Sequence, residues 1–395
     1  MFLLFSHLSF LAHMKDSVSQ STQKIFSRMR VMFSEIFMLH RNSILRVALA
    51  ATLASTSSLA QTARYNPIEI EASLTADDGT ESINISGVSC LPPVDGKYIC
   101  LVIDDEGRMA QAAALEASRL SGRGKIRIFG KAAPPGIVGS VPRADACSKG
   151  EDNFKDLDGE AVAYDGRDFY VVGSHGCSRH NNKFRASSFI LARIPRDVVI
   201  GATAADAAVY EGTAVSTTYR LSEALLVAPH VRNFFSHNLM TDNGLNIEGL
   251  LVVKGKLYAG LRAPVVGGQA YLIAVDAEAL FDAKRPIAES DVSEFPLALG
   301  NDRGIRDLAV LSDGRILVLS GPAQDGDVPF ALHIVDPNGG WTAKQIAVLD
   351  DLPIGSQTKA EGLHVLAEND NTLDLLVMFD GPKSGGPRRY TVVTQ

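Results

Sequence analysis

Short apolar runs rich in β-branched and aromatic residues, separated by polar turn residues, make up most of the chain after residue 84. Five of them share one opening, in which an aliphatic or small residue precedes a polar residue, a Gly or Asp, and an apolar stretch. These openings are "ISGVSCL" from Ile85, "LDGEAVAY" from Leu157, "IEGLLVV" from Ile247, "IRDLAVL" from Ile305 and "AEGLHVL" from Ala360. Most are followed by turn residues and a second apolar run, as in "KGKLYAGLRAP". This alternation predicts β-hairpins.

The recurrence of the opening predicts an all-β protein, a β-propeller. Repeats that hold four strands each are the signature of propeller blades. A β-sandwich or a solenoid accounts poorly for the five-fold recurrence. We expect five blades and leave a sixth open. The longest step between openings holds an insertion, roughly residues 203–243, in which "EALLVAPHVRNFF" is expected to be helical before its proline.

Closure of the ring is also predicted from the sequence. The last opening is followed by only enough chain for three strands, one short of a complete blade. The segment "RYNPIEIEASL" from Arg64 could supply the missing strand and so tie the first and last blades together. Such pairing would leave no open sheet edge.

The first 60 residues are expected to lie outside the propeller domain, which we place at 61–395. A basic region with Arg41 and Arg46, an apolar stretch at 47–54 and small residues before Gln61 are typical of a secretory signal peptide. The apolar stretch is too short to span a bilayer as a permanent helix. A membrane anchor or an amphipathic tail is the alternative. We therefore predict a periplasmic or secreted protein with no membrane attachment after cleavage.

Composition narrows the range of partners. The chain has 395 residues, 46% hydrophobic and 21% charged, which is enough to bury a sizeable core. Its formal net charge is −7, and it has neither a basic stripe nor an aromatic-rich RNA-binding motif. These features argue against nucleic acid and favour a small molecule or a protein bound on the propeller face.

All four cysteines lie in the expected exported domain. An even number in an oxidising compartment indicates disulfides, for which three connectivities exist. Cys90 and Cys100 flank "LPPVDGKYI", a predicted hairpin, so we expect them to pair, which leaves Cys147 with Cys177. No CxxC motif or Cys/His cluster supports a zinc site.

Propeller geometry brings the polar residues of the openings together. In a blade, the start of the first strand and the end of the second emerge on the same face. Asp158, Glu248, Arg306 and Glu361 would therefore ring one mouth of the central channel. The loops after the second strands would add His175, Arg262 and Asp380 to this ring.

Carboxylates that converge on a narrow mouth repel one another unless they take up protons, pair with arginine or bind a cation. Arg262, Arg303 and Arg306 could form the pairs, giving a salt-bridge ring that fixes the blade register. The same arginines could instead bind a ligand. A cation is the other reading, and Ca²⁺ is preferred because every candidate ligand is an oxygen.

The phrases "DLDGEAVAYDG", "YVVGSH", "NIEGLLV", "GLRAP" and "RGIRDLAVLSDG", in this order, resemble an uncharacterised bacterial family, a domain of unknown function with a predicted propeller-like fold. The resemblance covers roughly residues 85–365. One departure is the second blade, where Asp158-Gly159 stands in place of Glu-Gly; a shift of two residues makes Glu160 the counterpart instead. More remotely, the layout is similar to phytase-like and gluconolactonase-like propellers. That similarity implies Ca²⁺ or another divalent ion at the channel mouth.

Two functions follow. In the first, an exported propeller binds a small ligand or a protein at the channel mouth without chemistry. In the second, it is a divalent-metal hydrolase of phosphate esters or lactones. The metal ligands would then be Asp158 or Glu160, Glu248 and Glu361, with the substrate anion on Arg262 or Arg306 and with His175 as general acid/base. We favour the first function because no complete catalytic signature is visible in the sequence.

Overall fold

The strands of the chain assemble into five sheets. The computed structural model describes residues 61–149, 154–179, 181–204, 209–210 and 214–394. The predicted signal peptide lies outside the described residues.

Each sheet contains a blade of four strands, and short strands from elsewhere in the chain extend two of the sheets to five and six strands. The strand order within a blade follows the chain, except that blade 2 skips one strand and blade 5 takes its fourth strand from the start of the described chain. Three short strands come first: β1 (Gln61–Thr62), β2 (Arg64–Pro67) and β3 (Glu69–Ala72). Blade 1 is β4 (Ile85–Cys90), β5 (Lys97–Asp104), β6 (Met109–Glu116) and β7 (Arg119–Arg127). Blade 2 is β8 (Gly159–Tyr164), β9 (Asp168–Gly173) and β10 (Leu191–Pro195), with β12 (Ser216–Thr218) after the two-residue strand β11 (Val209–Tyr210).

The last three blades follow one another directly. Blade 3 is β13 (Asn246–Val253), β14 (Lys256–Ala263), β15 (Ala270–Asp276) and β16 (Ser293–Leu297). Blade 4 is β17 (Arg303–Val310), β18 (Ile316–Pro322), β19 (Ala331–Asp336) and β20 (Thr342–Val348). Blade 5 takes β21 (Lys359–Asn369), β22 (Thr372–Asp380) and β23 (Arg388–Val393) from this end of the chain.

The innermost strands β4, β8, β13, β17 and β21 form a closed ring. Each contacts the innermost strand of both neighbouring blades, and β21 contacts β4. The predicted β-propeller is confirmed, with five blades. The hairpin signals are confirmed as well: Lys254 and Gly255, which join β13 to β14, have φ angles of 51° and 74°. Two consecutive residues with positive φ suit the tight turns that match strand twist.

The start of the domain closes the ring. β2 pairs antiparallel with β23, with Arg64 opposite Thr391, and completes blade 5 as predicted. The neighbouring short strands add to this contact: β1 runs parallel to β20 of blade 4, and β3 runs parallel to β7 of blade 1. The segment 61–72 therefore lies along the outer strands of three successive blades.

The region expected to be an insertion is only partly one. Its β12 is the fourth strand of blade 2, and β11 pairs with β7 of blade 1. Three helices accompany these strands: α1 (Arg196–Ala204), α2 (Arg220–Val227) and α3 (Leu239–Asp242). As predicted, α2 ends before Pro229. Short 3₁₀ turns cover Ala186–Phe189, Arg232–Phe234, Ala279–Phe281, Glu289–Asp291 and Lys383–Gly385.

The hydrophobic core lies between blades, so the innermost strands approach one another closely. A Cβ atom on Gly87 would lie 2.7 Å from the Cα of Ala161 in the next innermost strand. A Cβ on Gly249 would lie 2.9 Å from Cγ2 of Ile305. Glycine after the polar residue of the opening therefore allows neighbouring blades to pack around the channel.

Both predicted disulfides are present. Cys90 lies directly opposite Cys100 on β4 and β5, and the two are bonded. Cys147 is bonded to Cys177, which joins the connection between blades 1 and 2 to the loop after β9. Within the described residues, no helix has the length and apolar character needed to cross a membrane.

We expect the two disulfides to stabilise the protein unequally. Replacement of Cys147 and Cys177 by Ser should lower the free energy of unfolding by about 3–4 kcal/mol, because their bond closes the longer loop. Replacement of Cys90 and Cys100 should cost at most about 3 kcal/mol. Urea unfolding of each double variant measures the difference, and peptide mapping without reductant checks the pairing. Four free thiols in the mature protein would contradict the assignment.

Candidate functional site at the channel mouth

The polar residue of the opening motif occupies the same structural position in every blade. Each innermost strand carries a β-bulge near its start, where its pairing with the second strand skips one residue. The skipped residues are Ser86, Glu160, Glu248, Arg306 and Glu361. A bulge leaves the extra residue outside the ladder and redirects its side chain. The repeated opening therefore encodes five redirected side chains, which we call the bulge ring.

The bulge also decides between the two candidates in blade 2. The skipped residue lies between Gly159 and Ala161, so Glu160 is the counterpart of Glu248. Asp158 precedes the strand and accepts a hydrogen bond from the Ser174 hydroxyl. Asp158 is thus a neighbour of the bulge ring and not a member of it.

Arg306 joins two carboxylates of the bulge ring. Its Nε lies 2.7 Å from Oε2 of Glu248, and its Nη2 contacts Oε1 of Glu361. Arg262, on β14, donates from Nη1 to Oε1 of Glu248 at 2.8 Å. The Ser86 hydroxyl donates to Oε2 of Glu361 at 3.2 Å. The side chains of blades 1, 5, 4 and 3 are therefore connected in ring order by hydrogen bonds and ion pairs.

Blade 4 has Arg306 and Asp307 at the two positions of the Glu-Gly pattern. The contacts of Asp307 show why an aspartate occupies the second position. Asp307 is fully buried, and its carboxylate accepts hydrogen bonds from the backbone N–H groups of Leu308 at 2.8 Å and Leu363 at 2.6 Å. Leu363 belongs to the innermost strand of blade 5. The aspartate thus fastens two innermost strands together where other blades have glycine or alanine.

The carboxyl groups of the ring differ in their protonation. Burial alone would raise the pKa of Glu248, but Arg262 and Arg306 hold it below its ordinary value. Burial raises the pKa of Glu361 to about 7, although Arg306 acts in the opposite direction. Burial raises the pKa of Glu160 well above its ordinary value, and the nearby Glu248 adds to the shift. Glu160 has no ion pair or hydrogen bond to the part of the chain that the structure describes.

A cavity of about 590 Å³ opens beside the bulge ring. Its cationic lining residues come from four parts of the chain: Arg179, Arg262, Arg306 and Lys359. Lys359 is held 2.7 Å from the carboxylate of Asp380. The nitrogen Nε of Arg262 donates to a backbone carbonyl of blade 4 at 2.8 Å. These contacts fix the positively charged side of the cavity.

Arg179 differs from the other cations of this cavity, since it has no close partner among the described residues. It follows Cys177 in the loop after β9, is exposed, and makes no ion pair with any described residue. The side chain is exposed to solvent overall, but partial desolvation of the guanidinium at the mouth works against its charge. The carboxyl groups of Glu160 and Glu248 outweigh this effect and raise the pKa of Arg179 above its usual value. Arg179 therefore stays charged and can receive an anion.

Of the predicted site residues, Arg262 and Arg306 line this cavity and the others do not. His175 and Arg303 also lie apart from the ion pairs of the bulge ring. His175 is fully buried, with its ring edge against Phe189 and its Nδ1 2.9 Å from the carbonyl oxygen of Gly173. Burial lowers the pKa of His175 to about 4, so the imidazole is neutral near pH 7. Arg303 bonds to the carbonyl of Pro329. The structure thus brings Glu248, Glu361, Arg262 and Arg306 together and leaves His175 and Arg303 aside.

Sequence reasoning missed Arg179 and Lys359. Lys359 immediately precedes the fifth opening, and this position could have indicated that its side chain lies at the channel mouth. Arg179 stands two residues after Cys177, so the disulfide that anchors its loop was the available signal.

The residues predicted to bind a metal contact different partners. Glu248 and Glu361 contact arginine, whereas Asp158 contacts Ser174. Among the described residues, no group of three His, Cys, Asp or Glu side chains is placed to hold a metal ion. Calcium binding stays a prediction, which a melting series can test.

The matching family adds to this picture. The family described as "Protein of unknown function (DUF3616)" matches residues 185–394, from the outer half of blade 2 to the end of blade 5. The chain belongs to this family. No curated protein matches it. The five-bladed propeller is thus the fold of a DUF3616 chain.

Solved structures similar to this DUF3616 chain are distant. A GH43 β-1,3-galactosidase has a TM-score of 0.41 and 9% identity, covering 84% of this chain and 60% of its own. An α-L-arabinofuranosidase from Lactobacillus brevis has a TM-score of 0.40 and 12% identity over 81% and 94% of the two chains. One from Podospora anserina has a TM-score of 0.37 and 10% identity over 84% and 96%. The chain thus spans less than two thirds of the galactosidase, and these similarities carry no argument about substrate or reaction.

We expect the buried ion pairs to hold the bulge ring together. Glu248→Gln should destabilise the protein by about 3–5 kcal/mol, because it leaves Arg262 and Arg306 with less compensation in a buried site. Asp313→Asn, which breaks the exposed pair with Arg315, is the matched control and should cost at most about 1 kcal/mol. Chemical unfolding measures both values.

Unfolding measurements on the wild type and Glu248→Gln, repeated with added calcium and with a chelator, test the calcium prediction. Bound metal would stabilise the wild type by roughly 2.7 kcal/mol at a hundredfold excess over its Kd, and Glu248→Gln would remove this gain. If neither calcium nor chelator changes the melting temperature of the wild type, ion pairing remains as the role of Glu248. Equal costs for Glu248→Gln and Asp313→Asn would contradict that role.

Glu160 should give the protein a specific pH dependence. Its pKa in the folded state lies above the ordinary value of 4.5, so its contribution to stability is present below that pH and is lost as pH rises through the folded pKa. Glutamine imitates the protonated carboxyl. Glu160→Gln should match the wild type near pH 4.5 and then become more stable than it, by at most about 1.4 kcal/mol per pH unit. Thermal unfolding between pH 4.5 and 8 measures this difference.

The exposed variant Glu116→Gln is the control and should show no such trend, since water solvates that side chain. A difference between Glu160→Gln and wild type that stays constant with pH would show that Glu160 is not held in its protonated form.

Proposed function

We propose that this protein is an exported propeller that binds a small anionic ligand at the mouth of its channel, without chemistry of its own. One observation carries the proposal: the cavity of about 590 Å³ beside the bulge ring has three arginines and one lysine in its lining. Cavities of roughly 300–1,000 Å³ with a few convergent polar groups are typical of small-molecule sites.

The arrangement of the cations supports binding of an anion. Arg262 and Arg306 are held in place by Glu248, so little side-chain freedom remains to be lost when a ligand arrives. Arg179 has no close partner among the described residues, and the nearby carboxyl groups of Glu160 and Glu248 keep it charged, so its N–H groups are able to bond a ligand. Guanidinium groups suit carboxylates and phosphates because their N–H groups can bond both oxygens at once.

The two disulfides support export. Disulfides persist in oxidising compartments such as the periplasm and the extracellular space. Cys90–Cys100 and Cys147–Cys177 use all four cysteines of the chain. We therefore assign the ligand to the periplasm or the surroundings of the cell.

Metal-dependent hydrolysis, the alternative function, has no specific observation in its favour. Two of its expected ligands, Glu248 and Glu361, already contact arginine, and its expected acid/base His175 does not line the cavity. It is therefore tested here only through the calcium series.

Replacement of Arg179 tests the proposal. Arg179→Gln should weaken the binding of inorganic phosphate by about tenfold, because it removes a charge-assisted hydrogen bond worth roughly 1.5 kcal/mol. The exposed position and the missing partner make loss of folding an unexpected result. Titration calorimetry at low ionic strength measures the affinity.

Arg315→Gln is the matched control, since Arg315 is a half-exposed arginine on the turn between β17 and β18, at the opposite mouth of the channel. Its phosphate affinity should equal that of the wild type. Absence of phosphate binding to the wild type, or equal affinity of Arg179→Gln, would overturn the proposal.

A further inference from the structure

We infer that the ligand of this cavity is an amphipathic organic anion, with a carboxylate or phosphate head on the arginines and an apolar body on the apolar lining residues. The inference rests on the proposed function and specifies its ligand class. It is carried by a cavity whose lining combines arginines with a group of apolar side chains.

The apolar lining residues come from two loops of the motif-bearing face. The loop between β18 and β19 contributes Val328, Pro329 and Phe330, and the loop before β21 contributes Leu352 and Ile354. Ile354 is 59% exposed, although it is a large aliphatic residue. A residue of this kind loses contact with water only when something apolar covers it.

Phe330 lies beside one of the arginines of the cavity. The guanidinium carbon of Arg306 lies 5.9 Å from the centre of the Phe330 ring. A ligand whose charged head bonds to Arg306 would therefore place the next few atoms against the Phe330 ring. The anionic group would then lie toward the bulge ring and the apolar group against Phe330 and the other apolar lining residues, among them Ile354.

The size of the cavity also argues against a bare inorganic ion. A phosphate ion on Arg179 and Arg306 would leave most of the 590 Å³ filled by water next to apolar side chains. An added apolar group would displace that water and gain about 25 cal/mol for each Å² of apolar surface removed from water. The cavity therefore favours a molecule over an ion.

Paired probes that share one head test the inference. Phenyl phosphate should bind at least about tenfold more tightly than inorganic phosphate, and phenylacetate should exceed acetate by a similar factor. Titration calorimetry on the full chain at constant pH and ionic strength gives the four dissociation constants. The two heads distinguish a phosphate ligand from a carboxylate ligand.

Two variants locate the apolar body. Ile354→Ser should weaken the binding of phenyl phosphate about threefold or more and leave inorganic phosphate unchanged, since the substitution removes apolar surface and no charge. Phe330→Leu keeps an apolar side chain but removes the ring and should act in the same direction. Val94→Ser is the control, because Val94 is 73% exposed on the turn between β4 and β5 and lies outside the cavity lining.

The outcomes separate the inference from the proposed function. If inorganic phosphate binds and phenyl phosphate gains nothing, the amphipathic ligand is wrong and the anion site stands. If Ile354→Ser and Phe330→Leu both leave the phenyl gain unchanged, the apolar body lies elsewhere and the inference fails. If none of the four probes binds to the wild type, the anion site and the inference fail together.

Discussion

A buried arginine at the start of blade 4 determines how the channel mouth is built. Arg306 is 1% exposed, and a charge in such a place is tolerated only when it is paired. Its guanidinium contacts Glu248 of blade 3 and Glu361 of blade 5, so it ties its own blade to both neighbours. Removal of any one of these charges would leave the others uncompensated in a poorly hydrated place. The same ion pairs therefore hold neighbouring blades together and balance the charges at the mouth.

The sequence predicted the ring because its signal is repeated. An isolated Glu-Gly before an apolar run means little, but five similar openings followed by hairpins indicate blades, and glycine at the second position indicates close packing. The geometry behind the opening could not be read in the same way. A β-bulge is defined by pairing between two strands, and the letters around Asp158 and Glu160 fit two alignments equally well. Only the pairing of β8 with β9 shows that Glu160 is the redirected residue.

The cavity was harder to predict than the ring. Apart from Arg262 and Arg306, which lie on β14 and β17, most of its lining comes from the loops after β9 and β18, from α3 and from the loop before β21, and loops carry no periodic signal. Arg179 depends on a disulfide for its place, and Phe330 and Ile354 belong to segments that look like ordinary connections. His175 failed as a candidate for the opposite reason: its position in the sequence was suggestive, but packing against Phe189 buries it. Residues on repeated elements could be placed from the sequence, whereas residues on unique loops could not.

The strand β2 has a consequence for how the chain acquires its structure. Blade 5 is finished by residues near the start of the domain, which pair with residues near the very end of the chain. During synthesis, those early residues have no partner until the last strand has been made. The contact that completes the ring thus joins residues more than three hundred positions apart, as in the pair Arg64 and Thr391, and non-local pairing of this kind is typical of topologies that fold slowly.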